Sequence, residues 1–205
     1  AMSASLVGSE MCIRDRIKDM GLLSKEMKIA CQEYKNTNDL GAIIQNSISN
    51  NIFMVNTERR RKELAYKIVA RMAALDDFLL YAIADEPYNI SALLSLYALM
   101  KTDRLVFEFM NEVIKDKIEL MNYRLTDIEL NQFMLCKAQQ SDTIAKWKDE
   151  NKAKVKNSLR KVLIDAGVLR DLGSVYMIMP PILNKNIKDH IVEIGDKKYL
   201  EALGV

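Results

Sequence analysis

Histidine, cysteine, glycine and proline are all scarce in this chain, and each scarcity removes a class of function. A single histidine, His190, serves 205 residues, and the three cysteines (Cys12, Cys31 and Cys136) lie far apart. Zinc sites draw ligands from closely spaced pairs, and disulfide frameworks from even, clustered sets, so this pattern predicts reduced thiols and no metal, as in a cytoplasmic protein. Seven glycines and three prolines among abundant helix formers predict a mainly α fold. There is no glycine-rich phosphate loop, no GxSxG and no HExxH. His190 has no serine or cysteine beside it to suggest a nucleophile–base pair, and it reads as a surface or capping residue. Asp76-Asp77 falls where a helix begins, and the helix dipole accounts for carboxylates there without catalysis. The expectation is a protein that is not an enzyme, with no catalytic residue, cofactor or small-molecule substrate. No run approaches the ~20 apolar residues of a membrane span. Residues 78–100 come nearest, but Asp85, Glu86 and Pro87 cut them, so they are expected to be core rather than membrane.

What the chain does contain is apolar and charged material in nearly native proportions, 49% hydrophobic and 28% charged, which excludes wholesale disorder. Residues 91–121 hold the densest apolar pattern. Phe107, Met110, Ile114, Ile118 and Met121 line one stripe of a helix, and Leu105, Phe109, Val113 and Leu120 a second. A helix with two apolar faces needs neighbours on both sides, so 91–125 reads as a central brace, with a joint at Lys101-Thr102-Asp103.

Before the brace, Ser24 opens a helix over 24–35 as its cap, Asn38–Ser49 forms a short helix, and 50–56 turns. Thr57 then caps a clear helix with Leu64, Ile68, Met72 and Leu75 in register. Residues 76–84 and 90–100 form a helical pair. After the brace, Thr126 and Glu129 make a capping box for a helix to about Ala138. Residues 141–147 connect to a long helix at Asp149–Ala166, stopped by Gly167. The runs VLRD and SVYMIMP read as a β-hairpin, and helices at 185–194 and 197–203 close the chain. The predicted architecture is a helical bundle with two helix-turn-helix-like units, the second carrying the hairpin as a wing. Its expected parts are a tail at 1–16, a lobe at 17–90, the brace at 91–125 and a lobe at 126–205.

Charge is the positive signal for function. Residues 57–75 carry six basic and two acidic side chains, and residues 146–161 seven and two, whereas the remainder holds 17 basic against 24 acidic. Two basic helices therefore stand on an otherwise acidic protein whose net charge is only +2. On the first helix Arg60, Lys67 and Arg71 share a flank, with Arg59 and Lys62 extending it at the N-terminal end. On the second, Lys152, Lys154, Lys156, Arg160 and Lys161 surround the side away from Val155 and Leu159. Trp147 and Tyr176 lie near it in sequence. Charged helix faces also serve solubility alone. Here each coincides with the recognition position of a helix-turn-helix, which points to double-stranded DNA held through phosphate contacts.

The segments YALMKTDRLVFEFMNEVI (97–114), QQSDTIAKWKDENKAKVKNSLRKVLIDAGVL (139–169) and IGDKKYLEAL (194–203) resemble the BrxA family of bacterial BREX (bacteriophage exclusion) defence systems. The likeness runs in order over roughly 22–205. It implies a cytoplasmic, mostly helical DNA-binding protein with a likeness to the NusB fold, encoded beside a methyltransferase, an ATPase and a phosphatase-like component. It implies no catalytic residue, and other BREX proteins as partners. Some family members carry an inner-membrane label, which this sequence does not support. Residues 6–16 depart from the family, and LVGSEMCIRDR resembles translated sequencing-adapter sequence, so residues 1–16 are set aside as a disordered or non-native tail. A protein–protein adaptor within the defence complex, or an RNA-binding NusB-like protein, is the competing expectation.

Overall fold

The computed structural model describes residues 21–173 and 175–205, so the expected tail at 1–16 lies outside the described residues. There are twelve α-helices among them, α1 to α12, and one of these, α5 (Tyr88–Thr102), is buried among its neighbours. From Ile90 to Met100 every residue of α5 is buried. A helix apolar on all sides can sit only where neighbours cover the whole of it. Helices α1 (Ser24–Thr37), α3 (Glu58–Met72) and α4 (Asp77–Asp85) cover it from the first half of the chain, and α10 (Asp149–Asp165) from the second. Its two buried serines keep their hydroxyls bonded: Ser91 Oγ donates to Ile83 O at 2.8 Å and Ser95 Oγ to Ser91 O at 2.8 Å. Lys28 Nζ adds bonds to Ile83 O (3.2 Å) and Glu86 O (2.6 Å), closing carbonyls that the end of α4 leaves open.

The brace is jointed where expected. Asp103 leaves the helical conformation, and its carboxylate accepts from Leu105 N (3.0 Å) and Val106 N (3.3 Å) to start α6 (Arg104–Phe109). A π-helical turn at Met110–Ile114 then leads into α7 (Lys115–Glu119). Here the sequence expectation is corrected. Leu120 and Met121, assigned to the apolar stripes, are 77% and 79% exposed. Met121 takes a positive φ of 53° and Asn122 N reaches back to Lys117 O at 2.8 Å, so the helix has already closed in a Schellman turn.

A second correction falls on Ser24. It is the first helical residue rather than the cap; Leu23 precedes it with φ 59°, and the buried Ser24 hydroxyl bonds Tyr88 OH at 2.7 Å. Two more ends shift: Asn38, at φ 52°, closes α1 instead of opening the next helix, and α3 stops at Met72 rather than Leu75. The caps expected at Thr57, Thr126 and Gly167 hold. Asp39 caps α2 (Leu40–Ser49), Thr57 caps α3, Thr126 and Glu129 form the capping box of α8 (Asp127–Gln140), and Gly167 follows α10 at φ 76°. A one-turn helix, α9 (Asp142–Ala145), lies within the connector.

The hairpin pairs β2 (Leu169–Asp171) with β3 (Tyr176–Ile178), antiparallel, with Arg170 opposite Met177. A third strand absent from the sequence reading, β1 (Arg124–Leu125), pairs with the free edge of β3, giving the order β1-β3-β2. At the end of the chain α11 (Lys185–Glu193) and α12 (Lys197–Leu203) are tied back to the first half. Asp196 accepts from Tyr97 OH and from Lys101 Nζ (2.6 Å), and Tyr199 packs edge-on against Tyr97 and Phe107 at 5.5 and 5.1 Å. His190 bonds Asp76 at 2.7 Å and lies on Phe78 at 4.2 Å, so it reinforces the carboxylate that caps α4.

Candidate nucleic-acid interface

Helix α3 buries Leu64, Ala65, Ile68 and Met72 against the core and, Arg71 apart, leaves its polar residues at least partly outside. Its cations are largely engaged with one another's counter-charges. Arg59 Nε lies 2.9 Å from Glu63 Oε1, Arg60 3.9 Å from Glu63 Oε2, and Lys62 Nζ 2.6 Å from Glu58. Arg61 turns to backbone, donating to Val55 O at 2.9 Å. Lys67 is half-buried on the Arg60 flank.

Arg71 does not belong to that exposed flank. It is 6% exposed, and its guanidinium donates to Leu22 O and to Gly21 O (3.2 Å), the carbonyls that lead into α1. Burial lowers its pKa to about 10, against the opposing pull of Asp103 and Glu26. Arg71 fastens the start of α1 to α3 and offers nothing to a ligand.

Helix α10 divides its cations differently. Its buried stripe is Val155, Leu159, Val162 and Leu163. Lys152, Lys156 and Arg160, four residues apart, form one flank turned toward α8 and the sheet. Lys152 lies 4.0 Å from Asp149, and Lys156 reaches Asn131 on α8. Arg160 is held by three partners: Asp127 at 3.0 Å, Tyr176 OH at 3.1 Å and Asn157 at 2.8 Å. Its guanidinium also lies 5.5 Å from the Tyr176 ring centre. Lys154 and Lys161, two turns apart on the outward stripe, are exposed and carry no hydrogen bond or ion pair among the described residues. Trp147, 6% exposed, belongs to the core.

The structure thus separates the ten sequence-assigned cations into three groups. Arg71 is internal. Arg59, Arg60, Lys62, Lys67, Lys152, Lys156 and Arg160 are engaged with the protein itself, several at exposed positions. Lys154 and Lys161 are uncommitted. Both basic helices pack on α5, which fixes them in one framework. Among the described residues no group of three or more His, Cys, Asp or Glu is placed to hold a metal, and no helix is long and apolar enough to cross a membrane.

Comparison with known proteins agrees with this arrangement at the level of family and fold. A family model described as BrxA matches residues 14–195. The BREX protein BrxA of Bacillus cereus (strain H3081.97) is 38% identical over 195 residues, covering 95% of this chain and 97% of that one. The BREX protein BrxA of Escherichia coli O9:H4 (strain HS) is 25% identical over 162 residues, covering 77% and 76%. Among solved structures, an uncharacterized protein from Magnetospirillum magneticum superposes with a TM-score of 0.74 over 91% of this chain and 95% of that chain. At 14% identity it is a likeness of fold alone. With a family model spanning most of its length and a relative at 38% identity end to end, the chain belongs to the BrxA family.

Proposed function

We propose that the chain is a non-enzymatic accessory protein of a BREX phage-defence system that binds double-stranded DNA in the cytoplasm, beside other BREX proteins. The family supplies the BREX setting. The observation that carries DNA binding is the pair Lys154 and Lys161, exposed and unpartnered among the described residues on the outward stripe of α10. From α7 onward the order is helix, strand, α8, α9, α10, strand, strand, with the first strand laid beside the last. That order fits a winged helix, and α10 stands in the position of its recognition helix. Arg160, locked to α8 and β3, sets the angle between the helix and the hairpin. Lys154 and Lys161 then meet phosphates.

The test is an equilibrium titration of a short duplex at stepped salt concentrations. Replacing Lys154 and Lys161 by alanine lowers the slope of log K against log salt by about two, at about 0.9 per phosphate contact. An unchanged slope and affinity in a folded variant overturns the reading. A second reading, a protein adaptor, is favoured by α8. Its outward residues Ile128, Asn131, Gln132, Leu135, Cys136 and Gln139 carry no charge, and Ile128 and Leu135 are 74% and 64% exposed. Such a face suits another protein better than a phosphate backbone.

A further inference from the structure

The three-stranded sheet carries two arginines that neither the basic helices nor the sequence pattern drew attention to. In an antiparallel sheet, residues directly opposite one another point to the same face. Arg124 on β1 stands opposite Met177 on β3, and Met177 stands opposite Arg170 on β2. The three side chains therefore form one row, Arg–Met–Arg, across all three strands. The neighbouring row, Leu125–Tyr176–Asp171, lies on the opposite face. There Leu125 is buried and Tyr176 turns back to hold Arg160 of α10, so the arginine row is on the solvent side.

Arg124 and Arg170 are both exposed, and neither guanidinium has a partner among the described residues. This sets them apart from the arginines of α3, whose charges are met by Glu63 or main-chain carbonyls. Their platform is stiff. Lys117 Nζ donates to Arg124 O at 2.6 Å, and β3 is hydrogen-bonded on both edges. Two strand spacings separate the arginines by about 10 Å, enough for their side chains to reach phosphates on either side of a minor groove about 6 Å wide. Met177, half-buried between them, would lie against the apolar sugar edges.

We infer that this solvent face of the sheet is a second DNA contact: Arg124 and Arg170 each take one phosphate of a duplex, with Met177 packed between them. The inference rests on the DNA-binding reading above and adds a site to it. It also gives the sheet a task separate from α10, since these charges leave from the opposite face to the one that positions Arg160.

The full chain and its Arg124→Ala/Arg170→Ala variant are titrated with a short duplex at several salt concentrations, beside Lys154→Ala/Lys161→Ala. The arginine variant is expected to flatten the salt slope by about two, whatever the sequence of the duplex. Met177→Glu, which sets a carboxylate between the arginines, is expected to weaken binding at least tenfold, and Met177→Leu to restore it. Urea midpoints of the arginine and lysine variants should match the parent, because those four side chains are exposed. That of Met177→Leu should match it because the half-buried site keeps an apolar side chain. If the lysine variant flattens the slope and the arginine variant leaves slope and affinity unchanged, the sheet is not a DNA contact and the α10 reading survives alone. If the parent chain binds no duplex even at low salt, both fall.

Discussion

Glu129 performs two tasks with one carboxylate. It accepts from Thr126 N at 2.7 Å to close the capping box of α8, and it pairs with Lys117 at 2.6 Å. Burial pushes its pKa up, but Lys117 and Thr126 outweigh burial and bring it down to about 2. A carboxylate whose folded pKa lies below its unfolded value of about 4.3 adds stability above that value and loses it as pH falls toward 2. Glu129→Gln is therefore expected to lower the urea midpoint at pH 7, with the gap from the parent closing between about pH 5 and pH 2. A gap independent of pH would show that shape, not charge, is what Glu129 contributes. The capping box was legible because its two residues are three apart in sequence. Arg71 was not, because the carbonyls it satisfies, at Gly21 and Leu22, come from a distant segment. Its replacement by alanine leaves those carbonyls unmet, at a cost of about 1–3 kcal/mol each when buried. The expected outcome is a lower midpoint with the DNA salt slope unchanged.

At the scale of elements, burial on all sides makes α5 the least replaceable part of the chain. Leu94 is fully buried on this helix, which packs against elements from both halves of the protein. Leu94→Ala should cost about 2–5 kcal/mol, the range for a core leucine whose surroundings cannot collapse onto the void. The denaturant midpoint reads it, and the transition should stay single because one core cluster links the two ends of the chain. Loss in two steps would mean that the halves fold separately. Long periodic helices such as α3 and α10 could be read directly, since a repeat over four turns outweighs local noise. The hairpin could be read from two apolar runs around Leu172-Gly173. Strand β1 could not, because two residues carry no alternation and only the edge of β3 makes them a strand. The π-helical turn likewise leaves no spacing signature, although its Glu112 and nearby Glu108 meet Lys137, 3% exposed, from α8.

For the whole molecule, the decisive property is the uneven distribution of charge over a nearly neutral chain. Both basic helices were visible in the sequence, but their inequality was not, because engagement by partners depends on which side chains the fold brings together. Helix α3 carries its own counter-charges, and its surface pairs are individually worth about 0–1 kcal/mol, so they compete with phosphate without excluding it. Helix α10 leaves Lys154 and Lys161 uncommitted. The two helices are expected to contribute unequally to DNA affinity. Arg59→Ala/Arg60→Ala/Lys62→Ala on α3 should flatten the salt slope by less than one, because removing those cations also frees Glu58 and Glu63 and little net attraction has been holding phosphate there. Lys154→Ala/Lys161→Ala on α10 should flatten it by about two, despite removing fewer charges. Reversal of that order would place the DNA on α3 and leave the C-terminal part, with its uncharged α8 face, to another protein of the defence system. Equal effects would mean that both helices lie along one duplex, and that the ion pairs on α3 open on contact.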